Sequence, residues 1–154
     1  MRDRYGREID YLRISVTDKC NLRCRYCMPG DIESIPMGEI LSFEEIAYIA
    51  GRAAELRISR LRITGGEPLV RRDCCTLVKM LKNIPGIEQI TMTTNGVLLE
   101  KYIDELKNAG VDGINISIDT LDRERFSSVT GADRLPDVLR GLSAALDKGI
   151  KVRI

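Results

Sequence analysis

Apolar and polar side chains alternate through residues 11–17, Y-L-R-I-S-V-T. Leu12, Ile14 and Val16 fall on one face and Arg13, Ser15 and Thr17 on the other, which predicts a strand. The same two-residue period returns at 60–64, 89–94, 113–119 and 150–154. Helical spacing fills the intervals. Ser42 before Phe43-Glu44-Glu45 is a capping box, in which Ser42 caps and Glu45 returns the bond. It predicts a helix to about Arg57 that buries Ile46, Ile49, Ala50, Ala53 and Leu56. Asp73 is the expected cap of a helix through Leu81, and Pro85-Gly86 closes that region. Asn95-Gly96 ends the third strand, and the helix from about Leu98 to Ala109 stops at Gly110. A short helix near Asp122–Val129 and a longer one near Leu135–Lys148 lead to the fifth strand. Between the first strand and Ser42, the residues Pro29, Gly30, Pro36 and Gly38 exclude long regular structure and predict a loop.

Strands alternating with helices over short connections define an α/β chain whose parallel sheet is built of right-handed crossovers. A parallel sheet covered on both sides has strands that are apolar on both faces. Here every strand keeps a polar face: Arg60, Arg62 and Thr64; Thr91 and Thr93; Asn115, Ser117 and Asp119; Lys151 and Arg153. Helices are therefore expected on one side only, with the polar sides sharing an interior. A curved, partial (β/α) barrel fits this pattern better than a flat doubly wound sheet.

At 154 residues the chain is long enough for one domain with a core. A net charge of +1 gives no reason to expect nucleic acid or an anionic membrane as partner. No apolar run approaches the roughly 20 residues of a membrane helix. The start, M-R-D-R-Y-G-R-E, lacks the apolar core of a signal peptide, so a cytoplasmic location is expected. The cysteine count of five is odd, which argues against a disulfide framework in such a compartment.

The most specific stretch is C-N-L-R-C-R-Y-C, Cys20 to Cys27, at the carboxyl end of the first strand. Thiolates this close select a soft metal centre: zinc, copper(I) or an iron-sulfur cluster. A structural zinc site closes with four Cys or His ligands, and the chain has no His. Cys74 and Cys75 lie far along the sequence on a helix face and read as small packing groups. Three thiolates on a cluster that normally takes four leave one iron open to a small molecule. A zinc-stapled module is the alternative, separable by iron and acid-labile sulfide content.

The C-x3-C-x2-C spacing, with Tyr26 before the last Cys, resembles the radical S-adenosylmethionine (SAM) enzymes. The resemblance implies that Cys20, Cys24 and Cys27 hold a 4Fe-4S cluster whose open iron takes SAM, and that an electron donor reduces it to release a 5′-deoxyadenosyl radical. No side chain is then expected to serve as catalytic acid or base. It also implies the family's partial barrel. Gly65-Gly66-Glu67-Pro68, after the second strand, resembles the family's SAM-binding motif, so Gly66 and Glu67 are expected at the methionyl end. The glycines would let backbone approach that ligand. Tyr26 resembles the residue that meets adenine, and Ser117 one that contacts SAM.

Within that superfamily, L-R-I-S-V-T-D-K-C-N-L-R-C-R-Y-C-M-P, R-I-T-G-G-E-P-L-V-R-R-D, T-T-N-G and I-N-I-S-I-D are similar to the GTP-cyclising family of molybdenum-cofactor biosynthesis. There Arg13, Arg62 and Thr93 would contact GTP, and Arg153 stands where that family has lysine. Inward arginines suit a polyphosphate independently, since the guanidinium fork binds phosphate bidentately. Alternatively, they neutralise inward carboxylates such as Asp119. The expectation is one radical SAM core over 1–154, truncated after about the fifth strand, with no second domain. The second cysteine triplet that this family uses for another 4Fe-4S cluster has no counterpart after Cys75. The chain alone is therefore expected to cleave SAM at most, and its last strand, as an open edge, to favour a homodimer. A radical SAM reaction on a peptide or protein is the competing function.

Overall fold

The computed structural model describes residues 2–27 and 35–154. Pro29 and Gly30 of the expected loop lie outside the described residues, and Pro36 and Gly38 belong to or flank a single 3-10 turn, Met37–Glu39. Five strands, β1 (Tyr11–Ser15), β2 (Arg60–Thr64), β3 (Gln89–Thr94), β4 (Gly113–Ile116) and β5 (Lys151–Arg153), alternate with α1 (Phe43–Glu55), α2 (Cys74–Lys82), α3 (Leu99–Ala109), and then α4 (Arg123–Thr130) and α5 (Leu135–Asp147).

All neighbouring strands are parallel and their spatial order is the chain order, β1-β2-β3-β4-β5. A doubly wound sheet reverses its direction of growth at a switch point. Here every right-handed crossover steps the same way, which leaves all helices on one face. α1 packs on α2, α2 on α3 and α3 on α5. The result is a partial (β/α) barrel, and the one-sided polar alternation is its sequence trace. The outward face supplies Leu61, Ile63, Ile90, Met92 and Ile114, which pack with Leu77, Val78, Leu81, Leu99 and Leu106 from the helices. All ten are buried. Each contributes about 1.5–3 kcal/mol of transfer free energy.

Three expectations need correction. β1 and β4 end at Ser15 and Ile116, short of Thr17 and Asp119, because their partners end. The last bonds run from Val16 N–H to the Thr64 carbonyl and from Ser117 N–H to the Thr94 carbonyl, both 2.9 Å. On α1, Ile46 and Ala50 are buried, but Ile49 and Leu56 are 45% and 60% exposed. Among the described residues, α1 is the outermost helix of the row and packs chiefly on the α2 side, so its flank stays open. Asp73 precedes α2 in the left-handed conformation (φ 58°) and makes no side-chain capping bond. The Ser42/Glu45 box forms in both directions, at 3.1 and 2.7 Å.

Candidate functional site

The carboxyl ends of β1 to β4 carry the cysteine loop, the Gly65-Gly66 turn and the Asn95 turn. Past β1 the chain crosses the Gly65-Gly66 turn: Gly66 N–H donates to the Thr17 carbonyl at 2.7 Å and Glu67 N–H to that of Lys19 at 2.8 Å. A Cβ on Gly65 would stand 2.5 Å from the Thr17 carbonyl oxygen, and one on Gly66 only 2.4 Å from that of Lys19. The space opened by the missing side chains is thus filled by the backbone that leads into the cysteine loop. Gly66 still presents its other side to solvent.

The loop is pinned to the end of α4, with Arg23 N–H on the Thr130 carbonyl (2.9 Å) and Arg25 N–H on that of Val129 (3.0 Å). Cys27 N–H turns back to the Cys24 carbonyl at 3.0 Å. All three cysteines are free, Cys20 and Cys24 half-buried and Cys27 exposed. Burial pushes the Cys24 thiol up; a hydrogen bond with Tyr26 opposes this, and the charges of Cys20, Asp119 and Cys27 add to it. Cys20 Sγ accepts from Leu22 N–H at 3.4 Å and from Asn95 Nδ2 at 3.7 Å. N–H groups aimed at sulfur suit a thiolate. Among the described residues no three His, Cys, Asp or Glu side chains converge as ligands of one metal ion. A cluster does not require such convergence, because each thiolate binds its own iron. The donor set therefore fits a cluster.

Tyr26, 68% exposed, donates its hydroxyl to Asp119 Oδ2 at 2.7 Å, and this bond, ahead of burial, holds the phenol above its ordinary range. Asp119 is thereby occupied at the rim and does not neutralise the inward arginines. Ser117 is exposed beside it. Glu67 points the other way. It is fully buried, and its carboxylate accepts from Leu69 N–H (3.1 Å), the Thr94 hydroxyl (2.8 Å) and Asn95 N–H (2.7 Å). Burial raises its pKa and the three donors pull it down, with burial the larger influence.

Inside the sheet's concave face, the register sets Arg13 beside Arg62, Arg62 beside Thr91, then Gly113 and Lys151. The next level sets Thr93 beside Asn115 and Asn115 beside Arg153. Arg62, Thr91, Gly113, Asn115, Lys151 and Arg153 line a cavity of about 300 Å³; Arg13 and Thr93 share the face but lie outside that cavity. Arg62 bonds Thr91 Oγ1 and Arg13 bonds Thr64 Oγ1, both at 3.4 Å, and Arg62 also covers the Tyr11 ring. Among the described residues no carboxylate pairs with Arg13, Arg62 or Arg153. Two polar residues to which the sequence assigns no role in the site join it. Asn115 Nδ2 is buried without a partner, and Asn95 reaches the cysteine loop. T-T-N-G and I-N-I-S-I-D were both visible as motifs, but neither spacing says which amide faces what. Cys74 and Cys75 are buried in the first turn of α2, and burial pushes both thiols up to about 12, as packing groups.

The profile of the Radical SAM superfamily matches residues 14–154, and the chain belongs to that superfamily. Among curated relatives, the GTP 3′,8-cyclase of Pelotomaculum thermopropionicum is 49% identical over 151 residues, covering 97% of this chain and 46% of the relative. That of Clostridium perfringens is 46% identical over 155 residues, covering 100% and 48%. The chain spans about half the length of the curated relatives it matches. Among solved structures, native anSMEcpe with bound AdoMet and Kp18Cys peptide superimposes with a TM-score of 0.74 at 19% identity, over 92% of this chain and 41% of that one. Methylornithine synthase (PylB) gives 0.71 at 17%, over 92% and 42%. These likenesses bear on the fold.

Proposed function

We propose that residues 1–154 form the radical SAM core of a GTP 3′,8-cyclase. The observation that carries the reading is the set of three guanidinium groups, Arg13, Arg62 and Arg153, that share a concave face and have no ion pair among the described residues, the Asp112 carboxylate of the cavity wall being bound to Lys82. Two neighbouring cations at the strand ends are instead paired, Arg60 with Asp10 at 2.6 Å and Lys82 with Asp112 at 2.7 Å. Unpaired cations on one concave face call for an anion, and a triphosphate supplies several charges in a row. A neutral peptide would leave them unmatched. The names of the relatives support the same substrate.

On this reading Cys20, Cys24 and Cys27 hold a 4Fe-4S cluster, Gly66, Tyr26 and Ser117 border SAM, and Arg13, Arg62, Thr93 and Arg153 face GTP. When bound, the cluster supplies the single electron that cleaves SAM and yields the hydrogen-abstracting radical. The protein's own part is placement. The glycine turn seats the cysteine loop on β1, the Tyr26–Asp119 bond ties that loop to the end of β4, and the arginines hold the nucleotide on the same concave surface. Glu67 supports the turn from within, its side chain buried and bonded to Leu69, Thr94 and Asn95.

The test is binding by the anaerobically reconstituted 154-residue protein. GTP should bind at least tenfold more tightly than GMP, and SAM should change the electron paramagnetic resonance of the reduced cluster. Equal affinity for GTP and GMP would remove the triphosphate reading, and iron retained after Cys24→Ala would remove the ligand assignment.

A further inference from the structure

We infer that Asn95 is a positioning residue for the cluster: its side-chain amide donates to the Cys20 sulfur and raises the cluster's reduction potential. The inference rests on the reading of Cys20 as an iron ligand.

Asn95 sits in the turn after β3, 75 positions from Cys20, and is held at every polar atom that could reorient it. Its backbone N–H donates to Glu67 Oε2 at 2.7 Å. Its Oδ1 accepts from Val97 N–H at 3.0 Å, which decides the amide's orientation. With the oxygen committed to an N–H, the NH2 end must face the cysteine loop. One of its hydrogens goes to Asn21 Oδ1 at 2.8 Å, and the other is directed at Cys20 Sγ at 3.7 Å. Nitrogen-to-sulfur contacts are longer than nitrogen-to-oxygen ones because sulfur is larger and more diffuse. Glu67, fully buried with three donors on its carboxylate, is the fixed point behind this arrangement. A chain of bonds thus runs from the core through Asn95 to a cysteine that would carry iron.

Donation to a ligating sulfur draws electron density from it, stabilises the reduced cluster and moves the potential upward. Removing the donor moves it down while the number of thiolates is unchanged. Asn95→Asp is nearly isosteric and keeps an oxygen for Val97 N–H, but it has no hydrogen for sulfur. Asn95→Ala removes both functions. Asn21→Ala removes the amide's other acceptor and leaves the sulfur contact in place.

The experiment is a redox titration of the reconstituted 154-residue protein, read by electron paramagnetic resonance, with iron and sulfide measured on each sample. Asn95→Asp and Asn95→Ala should both shift the midpoint to more negative potential at wild-type iron content, and Asn21→Ala should leave it close to wild type. An unchanged midpoint in an iron-loaded Asn95→Asp protein overturns the inference. Failure of both Asn95 variants to load iron also overturns it, since Asn95 would then serve assembly and not potential. A Cys20→Ala protein that keeps its full iron and sulfide shows instead that the ligand reading was wrong, a result distinct from either.

Discussion

The Tyr26 hydroxyl donates to the Asp119 carboxylate at 2.7 Å across 93 positions of sequence, so the cysteine loop is fastened to the chain leaving β4. Tyr26→Phe and Asp119→Ala should each destabilise the protein by about 0.5–1.5 kcal/mol, the net worth of one hydrogen bond. The double variant should cost little more than either alone. Urea unfolding of the three proteins checks this, and additive losses would show that the two groups act separately.

The thiols should divide into two classes. With Cys74 and Cys75 pushed up to about 12, their thiolate fraction at pH 8 is about one part in ten thousand, against about one in ten for a thiol at the usual 9.0. Raising the pH to 9 enriches the thiolate about tenfold, which still leaves both nearly all protonated and buried. In the metal-free protein an aromatic disulfide reagent should modify exposed Cys27 quickly, half-buried Cys20 and Cys24 more slowly, and Cys74 and Cys75 only on unfolding. Rapid reaction of all five cysteines would place the last two elsewhere than in the core.

Gly66→Ala should be strongly destabilising. Its Cβ meets the Lys19 carbonyl oxygen at 2.4 Å and that of Asp18 at 2.6 Å. Both are backbone atoms with no rotamer to move aside. A loss of about 1–3 kcal/mol is expected, together with weaker cluster assembly, because the Glu67 N–H bond to Lys19 must lengthen. Denaturation midpoints and iron content read the two effects.

Arg13→Ala and Arg62→Ala should each weaken GTP binding by about ten- to a hundredfold, the worth of a charge-assisted bond, and leave SAM binding near wild type. Arg153→Lys should be mild if charge alone is needed there. Calorimetric titration with each ligand separates the cases; parallel loss of SAM affinity would mean that the concave face itself had been disturbed.

The sheet was legible because burial acts residue by residue: Ile90 and Met92 against Thr91 and Thr93 leave no other strand for 89–94. The one-sided helix layer followed from the same alternation. What stayed hidden depended on partners distant in sequence. Ile49 and Leu56 have the spacing of a buried stripe, and only the position of α1 at the end of its row leaves them in water. Glu67 reads as a ligand contact by its motif, and its inward orientation is set by Thr94 and Asn95, about 28 positions away. Asn95 itself carries no local signal, since its partner Cys20 is reached only when β1, β2 and β3 align.

Sequential strand order also makes the concave face a gauge of length. Arg13 stands on one edge strand and Arg153 on the other, with β2, β3 and β4 between. Four strand spacings of ~4.8 Å separate the two backbones by roughly 19 Å measured along the sheet. A single phosphate cannot touch both arginines unless the sheet curls tightly and the side chains stretch. An elongated anion can engage both at once, with Arg62 engaged along the way. Any change in curvature closes or opens this span, and the cysteine loop, bonded to Thr130 and Asp119 beyond β4, is coupled to it. On the proposed reading, the sheet sorts anions by how far their charges extend.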